Sequence, residues 1–301
     1  MPRGAAKTST SHPWITFLSD YGLDDAFVGV CHGVLARIAP EARVIDVCHQ
    51  IAPQDVAEGA TTLAAAMEYL PVGVHLAIVD PGVGTRRRGV AVLTGSGSIL
   101  VGPDNGVGSL AWPALGGVTS AHEITNTELF LKNPSKTFHG RDVFAPVTAH
   151  LANGVELAKV GGEIDPQSLI QIDLRDPVVD DDHVHGEVRS VDHFGNLSLN
   201  MRRSDLEAAG IQLGDTVELR VGGRALQVPF TVTFGQVPPG RIAVCEDSYR
   251  HITVAVNLGH ASKTLRAHRG DPIVLSRVAR EAPATDRKIG VLDPPPQPTT
   301  V

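Results

Sequence analysis

Aromatic residues are scarce: Phe, Tyr and Trp make up 4% of the 301 residues, too few for a stacking surface along single-stranded nucleic acid. Positive charge is also lacking. Lys and Arg number 26 against 33 Asp and Glu, a formal net charge of −7 with histidines neutral, which excludes a phosphate backbone as the main partner and favours a cationic ligand. The three cysteines, Cys31, Cys48 and Cys245, are widely spaced and form no C-x-x-C pair. They suit buried thiols in a reducing compartment, so the expected location is the cytoplasm. No apolar stretch precedes Trp14, so the N-terminus does not read as a secretory signal. No apolar run approaches the ~20 residues of a membrane helix, and no membrane partner is expected. What remains is ordinary globular composition, 42% hydrophobic and 20% charged, long enough for about two domains.

The first half alternates short apolar runs with helical patterns, the rhythm of parallel strands joined by crossover helices. Strands are expected at Trp14–Ser19, Ala42–Val47 and Val74–Val79, and in GVAVLTG and SILVG. Helices are expected after DYGLDD, with Asp24 or Asp25 as its cap, over about Asp55–Tyr69, and over Arg141–Leu151. Beyond about Ile172 the helical period fades, and seven β-type segments from HGEVRSVDHF to DPIVLSR follow, separated largely by turn signals. The fold class is therefore α/β: an N-terminal α/β domain with a mostly parallel central sheet over 13–175, and a C-terminal antiparallel β-barrel-like domain over 183–280. Residues 1–12 and 281–301, the latter proline-rich, read as flexible tails. The acidic stretch DPVVDDDHVHG reads as a solvated linker, although His183 and His185, two apart, share a strand face and with Asp180–Asp182 are candidate metal ligands.

Open α/β sheets place ligands at the carboxyl ends of their strands, and four polar clusters fall there. SDYGLDD carries Asp20, Asp24 and Asp25, carboxylates that repel one another unless something positive or hydroxyl-rich lies among them. VDPGVGTRRR carries Asp80 before Arg86, Arg87 and Arg88. It lacks the Lys-Ser/Thr ending of a P-loop, so a tight turn bringing one arginine back to Asp80 is favoured over phosphate binding. VGPDNGVG is a turn signal. TFHGRD sets His139 beside a glycine that allows close approach of a ligand to the backbone.

Taken together, SDYGLDDAFVG, VIDVCHQIAPQDVAEGA, VDPGVGTRRR, GPDNG, TFHGRDVFAP, VDHFGNLSLN, PFTVTFG and EDSY resemble the S-adenosylmethionine hydroxide adenosyltransferases, relatives of fluorinase and chlorinase enzymes. The resemblance runs from about Ile15 to Arg277. It implies a homotrimer whose active sites lie between one subunit's N-terminal domain and its neighbour's C-terminal domain. It also makes Asp80, Arg87 and His139 the catalytic set, with Asp20 on the ribose hydroxyls and Asp25 near the methionine end. Asp192 and Ser248 then grip the methionine, and Asn196 and Phe234 surround the adenine. Halide-using relatives have no acidic residue at the Asp80 position and lack the matching histidine, so hydroxide is the implied nucleophile.

The implied reaction is hydrolysis of S-adenosyl-L-methionine to adenosine and L-methionine, with no cofactor and no metal. The sulfonium already activates the 5′ carbon, so the task is to align water behind it. An arginine beside Asp80 competes for the lone pairs a base would use, so the trio is expected to stabilise hydroxide. The alternatives are a halogenase, a nucleoside-binding module without turnover, and a metal hydrolase.

Overall fold

The structure is a computed structural model that describes residues 11–278. The described residues divide into two compact units, the first ending at Leu174 and the second beginning at Arg175. The expected tails lie outside the described residues except for Ser11 and His12, and the His12 amide donates to the Ala152 carbonyl at 2.9 Å.

In the first unit the elements run β1 (Trp14–Ser19), α1 (Phe27–Ile38), β2 (Arg43–Cys48), α2 (Val56–Met67), β3 (Val74–Ile78), β4 (Gly89–Thr94), β5 (Ile99–Pro103), β6 (Val118–Glu123), α3 (Ala145–Ala152) and β7 (Glu163–Ile164). The sheet order is β2-β1-β3-β5-β4-β6-β7. Its β2-β1-β3-β5 half is parallel, and β4, β6 and β7 extend it antiparallel. Strands β1 and β3 are covered on both faces. Ile15, Phe17, Val74, Leu76 and Ile78 pack with Leu35 and Val147 on one side, and Leu18 and Ala77 with Leu63 and Met67 on the other. Side chains alternate across a strand, so cover on both faces makes these segments read as continuous apolar runs.

Helix α2 is capped as its sequence suggests, with Asp55 accepting from the Glu58 amide at 3.0 Å. Helix α1 differs from expectation. It begins at Phe27 with Ala26 at the cap position and no side-chain cap, and Asp24 and Asp25 are both exposed. The cap position falls one residue past Asp25 and two past Asp24, so neither carboxylate caps the free amides. The expected helix over Arg141–Leu151 is a π-helical turn, Gly140–Phe144, running into α3.

The second unit contains β8 (Val178–Asp180), β9 (His183–Val191), β10 (Leu197–Leu199), α4 (Arg203–Ala208), β11 (Thr216–Val221), β12 (Arg224–Pro229), β13 (Ile242–Glu246), β14 (Ile252–Val256), α5 (Ala261–Leu265) and β15 (Pro272–Arg277). The antiparallel order is β12-β11-β15-β9-β10-β14-β13, with β8 on β9. A bridge between Phe230 and Val244 draws the two ends together into a nearly closed barrel around Val188, Leu197, Leu219 and Phe230. Gly222 and Gly223, at φ +57 and +73, form the two-residue turn from β11 to β12, which needs left-handed residues. The stretch read as a solvated linker is instead the β8–β9 hairpin, turning at Asp181 with φ +46, a conformation Asp tolerates.

One buried histidine makes this fold sensitive to acid. His75 lies opposite Thr16 across β1–β3, with Nδ1 2.9 Å from the Thr16 hydroxyl and no partner at Nε2. Burial, with His12 nearby, lowers its pKa from 6.5 to about 4. The unfolded chain therefore takes up the proton first, and stability present above pH 6.5 is lost between 6.5 and about 4. In urea denaturation, the advantage of wild type over His75→Leu should shrink by roughly 3 kcal/mol between pH 7.5 and 4. An unchanged gap would show that His75 does not carry this dependence.

Candidate active site

Parallel pairing sets β1 and β3 side by side, with Ser19 opposite Ile78. Their carboxyl ends therefore open at the same edge, where Asp20 follows one strand and Asp80 the other. The Asp20 amide donates to the Ile78 carbonyl at 3.3 Å, and its Oδ2 accepts the Gln54 amide at 2.8 Å.

After Asp80 the chain turns sharply. The Val83 amide donates to the Asp80 carbonyl, the Thr85 hydroxyl donates to Gly82 O at 2.7 Å, and the Arg87 amide donates to that hydroxyl at 3.3 Å. Gly84 takes φ +76 and passes so close to the Lys136 carbonyl that a Cβ there would overlap it. The turn folds Arg87 back onto Asp80. Arg87 Nε donates to Oδ1 at 2.9 Å and Nη2 donates to Oδ2, with both side chains nearly buried. The guanidinium carbon lies 5.0 Å from the centre of the Phe144 ring, a cation–π contact.

The arginines divide the work. Arg86 is exposed, while Arg88 pairs with Asp104 of the GPDNG turn, whose side chain is 2% exposed, through Nε at 2.9 Å and Nη2 at 2.5 Å. Asp104 also accepts the Ile170 amide. Asn105 of the same turn donates to the Val79 carbonyl at 2.8 Å, directly behind Asp80.

His139 completes the trio, with Nδ1 3.3 Å from Arg87 Nη2. A guanidinium only donates, so Nδ1 accepts and the ring proton sits on Nε2. Burial first, and then Arg87, hold this imidazole below its ordinary pKa against the opposite pull of Asp80 and Asp142. It is therefore neutral at pH 7 and presents Nε2–H as a donor. Gly140 follows because a Cβ there would overlap the Tyr21 hydroxyl. Burial, with Cys31, Asp20 and Asp80 nearby, pushes the Tyr21 phenol far up, so it stays protonated. Tyr21 and Asn105 were not among the site residues expected from sequence, although both lie inside the motifs that were quoted. Asp142, next to His139, serves the loop: it is clamped by Arg141 at 2.6 Å and accepts the Ser135 amide at 2.7 Å.

In the second unit Asp192, Asn196, Phe234 and Ser248 line one cavity of about 380 Å³, together with Asp247 and Tyr249. Asp192 accepts from the Asn196 backbone and side-chain nitrogens, both at 2.8 Å, which fixes the Asn196 amide orientation. Phe234 and Tyr249 leave their rings half exposed. Asp247 is held by Ser198 Oγ and by the Tyr249 and His251 amides, each at 2.9 Å. Asp25 is exposed ahead of α1. His183 and His185 stack with ring centres 6.0 Å apart, and His183 pairs with Asp182.

The sequence patterns of the S-adenosylmethionine hydroxide adenosyltransferase N-terminal and C-terminal domains match residues 15–161 and 186–274. The chain belongs to this family. Among S-adenosylmethionine hydroxide adenosyltransferase relatives, the (R)-S-adenosyl-L-methionine hydrolase of Salinispora tropica is 48% identical over 86% of this chain and 96% of that protein. The enzyme of the same name from Thermus thermophilus is 40% identical over 87% and 98%. A fluorinase from Nocardia brasiliensis is 30% identical over 75% and 84%. The crystal structure of an uncharacterized conserved protein from Thermotoga maritima superposes with a TM-score of 0.82 at 40% identity, over 87% of this chain and all of that one.

The unequal roles of the arginines are measurable. Arg88→Ala strands the buried Asp104 carboxylate and should cost about 3–5 kcal/mol in urea denaturation. Arg86→Ala should stay within about 0.5 kcal/mol of wild type. Equal losses from both would contradict the pairing.

Proposed function

We propose that this protein hydrolyses S-adenosyl-L-methionine to adenosine and L-methionine. The observation that carries the reading is the trio: Arg87 bridges Asp80 and His139, leaving a neutral histidine with its donor proton on Nε2. Both Asp80 oxygens are engaged by Arg87, so the carboxylate orients the guanidinium. The free Arg87 and His139 N–H bonds form a donor pocket for hydroxide, where they favour the charged nucleophile over water. One proton of the water goes to solvent as the hydroxide forms. Its oxygen then attacks the 5′ carbon as the carbon–sulfur bond breaks, the electron pair leaves on sulfur as the neutral thioether, and the remaining proton stays on oxygen as the 5′ hydroxyl. Asp20, at the adjacent strand end, suits the ribose diol, and Asp25 the methionine end.

The cavity of the second unit suits the rest of the substrate, with Asp192 and Ser248 for the methionine and Asn196 and Phe234 for the adenine. The reading carries a homotrimer with sites completed by a neighbouring subunit, and for that it rests on the family resemblance. It requires no cofactor. The free thiols support a cytoplasmic location, and no helix among the described residues is long and apolar enough to cross a membrane. A halogenase is disfavoured on the family resemblance, because halide-using relatives have no acidic residue at the Asp80 position and lack the histidine matched by His139.

Incubation with each sulfonium epimer in heavy-oxygen water, with and without chloride, should yield labelled adenosine plus methionine and no chlorinated nucleoside. Unlabelled adenosine, or tight binding without product, overturns the reading. Asp80→Ala and His139→Ala should each lower kcat at least about a hundredfold with little change in substrate Kd. Near-parental rates in both would remove the trio from the chemistry. Sedimentation velocity should give three chains per particle; a monomer that retains full activity would refute the shared sites.

A further inference from the structure

Beneath the Asp20 loop lies a second polar cluster that the hydrolysis does not use. His32 comes from α1, Asp46 from β2 and His49 from just beyond it, and their ligand atoms all lie within 4.8 Å of one another. Among the described residues this is the one group of its kind. His32 Nε2 is 2.8 Å from Asp46 Oδ1, and His49 Nε2 is 3.0 Å from the same oxygen. Two imidazoles thus converge on one carboxylate atom.

The environment of His49 distinguishes this cluster from an ordinary hydrogen-bonded trio. Its side chain is 3% exposed, with Nδ1 2.7 Å from the Ser19 hydroxyl and its ring 4.5 Å from that of Phe17. Despite its closeness to Asp46, Nε2 lies off the hydrogen-bonding line and has no hydrogen-bond partner. Buried polar atoms are seldom left in that state unless something else satisfies them. When Ser19 accepts the Nδ1 proton, Nε2 turns a bare lone pair toward the carboxylate, and a cation between them satisfies both. A hydroxyl or carboxylate holding the distal nitrogen of an imidazole is also how proteins orient metal-ligating histidines.

We propose that His32, Asp46 and His49 form a binding site for one divalent transition-metal ion of the zinc type. Two imidazoles and a carboxylate suit borderline cations over calcium or magnesium, which take oxygen ligands. Tetrahedral coordination at 2.0–2.1 Å needs ligand atoms about 3.3 Å apart, so the two short contacts must open by a few tenths of an ångström. His32 and Asp46, with side chains 34% and 47% exposed, have room to make that adjustment and leave a path for the ion. The ion would tie α1 to the β1–β2 edge. None of its ligands belongs to the Asp80 trio, so the site stands apart from the metal-free hydrolysis.

The test uses tag-free full-length protein stripped with a chelator. Calorimetric titration with Zn2+ should give one ion per chain at micromolar Kd or tighter, and Co2+ should give the visible absorption of a four-coordinate ion. His32→Ala, on the half-exposed side, should keep the native circular dichroism and weaken binding at least about tenfold, and Ser19→Ala should weaken it by a similar factor through His49. The double variant His183→Ala/His185→Ala should bind as wild type does. Zn2+ should raise the Tm of wild type and not that of His32→Ala. Kd above about 1 mM, or binding that survives His32→Ala and disappears in the double variant, overturns the proposal.

Discussion

The parallel pairing of β1 with β3 is the constraint on which the site depends. Two parallel strands deliver their carboxyl ends to one edge, so Asp20 and Asp80 emerge as neighbours although sixty residues separate them. An antiparallel arrangement would send them to opposite ends of the sheet. The buried apolar cover on both faces of these strands holds that pairing, and the polar groups at the edge inherit its rigidity.

On that edge the chain resolves a crowding problem. Three consecutive arginines near several carboxylates admit many pairings, and the tight turn through Gly82 and Gly84 selects one. Arg87 is folded inward to Asp80, Arg88 continues outward to Asp104, and Arg86 remains in solvent. Asp104 keeps Arg88 occupied, and Asn105 supports the strand end behind Asp80. The DNG turn is thus a support for the site as well as a turn.

Much of this was legible in the sequence. The β segments of the second unit follow from alternation and turn residues, and the strand-end aspartates follow from where apolar runs stop. Pairing direction is less visible: GVAVLTG reads as a strand, but nothing local says that β4 runs against β5. The missing cap of α1 and the hairpin at Val178–Asp180 depend on where neighbouring backbone lies, which one or two residues of drift in an element boundary decide. Tyr21 joins the surroundings of His139 only because Gly140 packs against its hydroxyl. His32, Asp46 and His49 are scattered across a helix, a strand and a loop, without the spacing by which metal motifs are read.

Asp80 and Arg87 neutralise one another, and His139 carries no charge at neutral pH. In the hydrolysis proposed above, the trio therefore acts on the reacting atoms as a set of oriented dipoles with no net charge. Dissolved ions screen charges over about 10 Å at 0.1 M, yet they have little hold on dipoles enclosed by protein at contact distance. Ionic strength thus separates two stages: capture of a cationic ligand by exposed carboxylates weakens with salt, while the bond-making step is shielded from it.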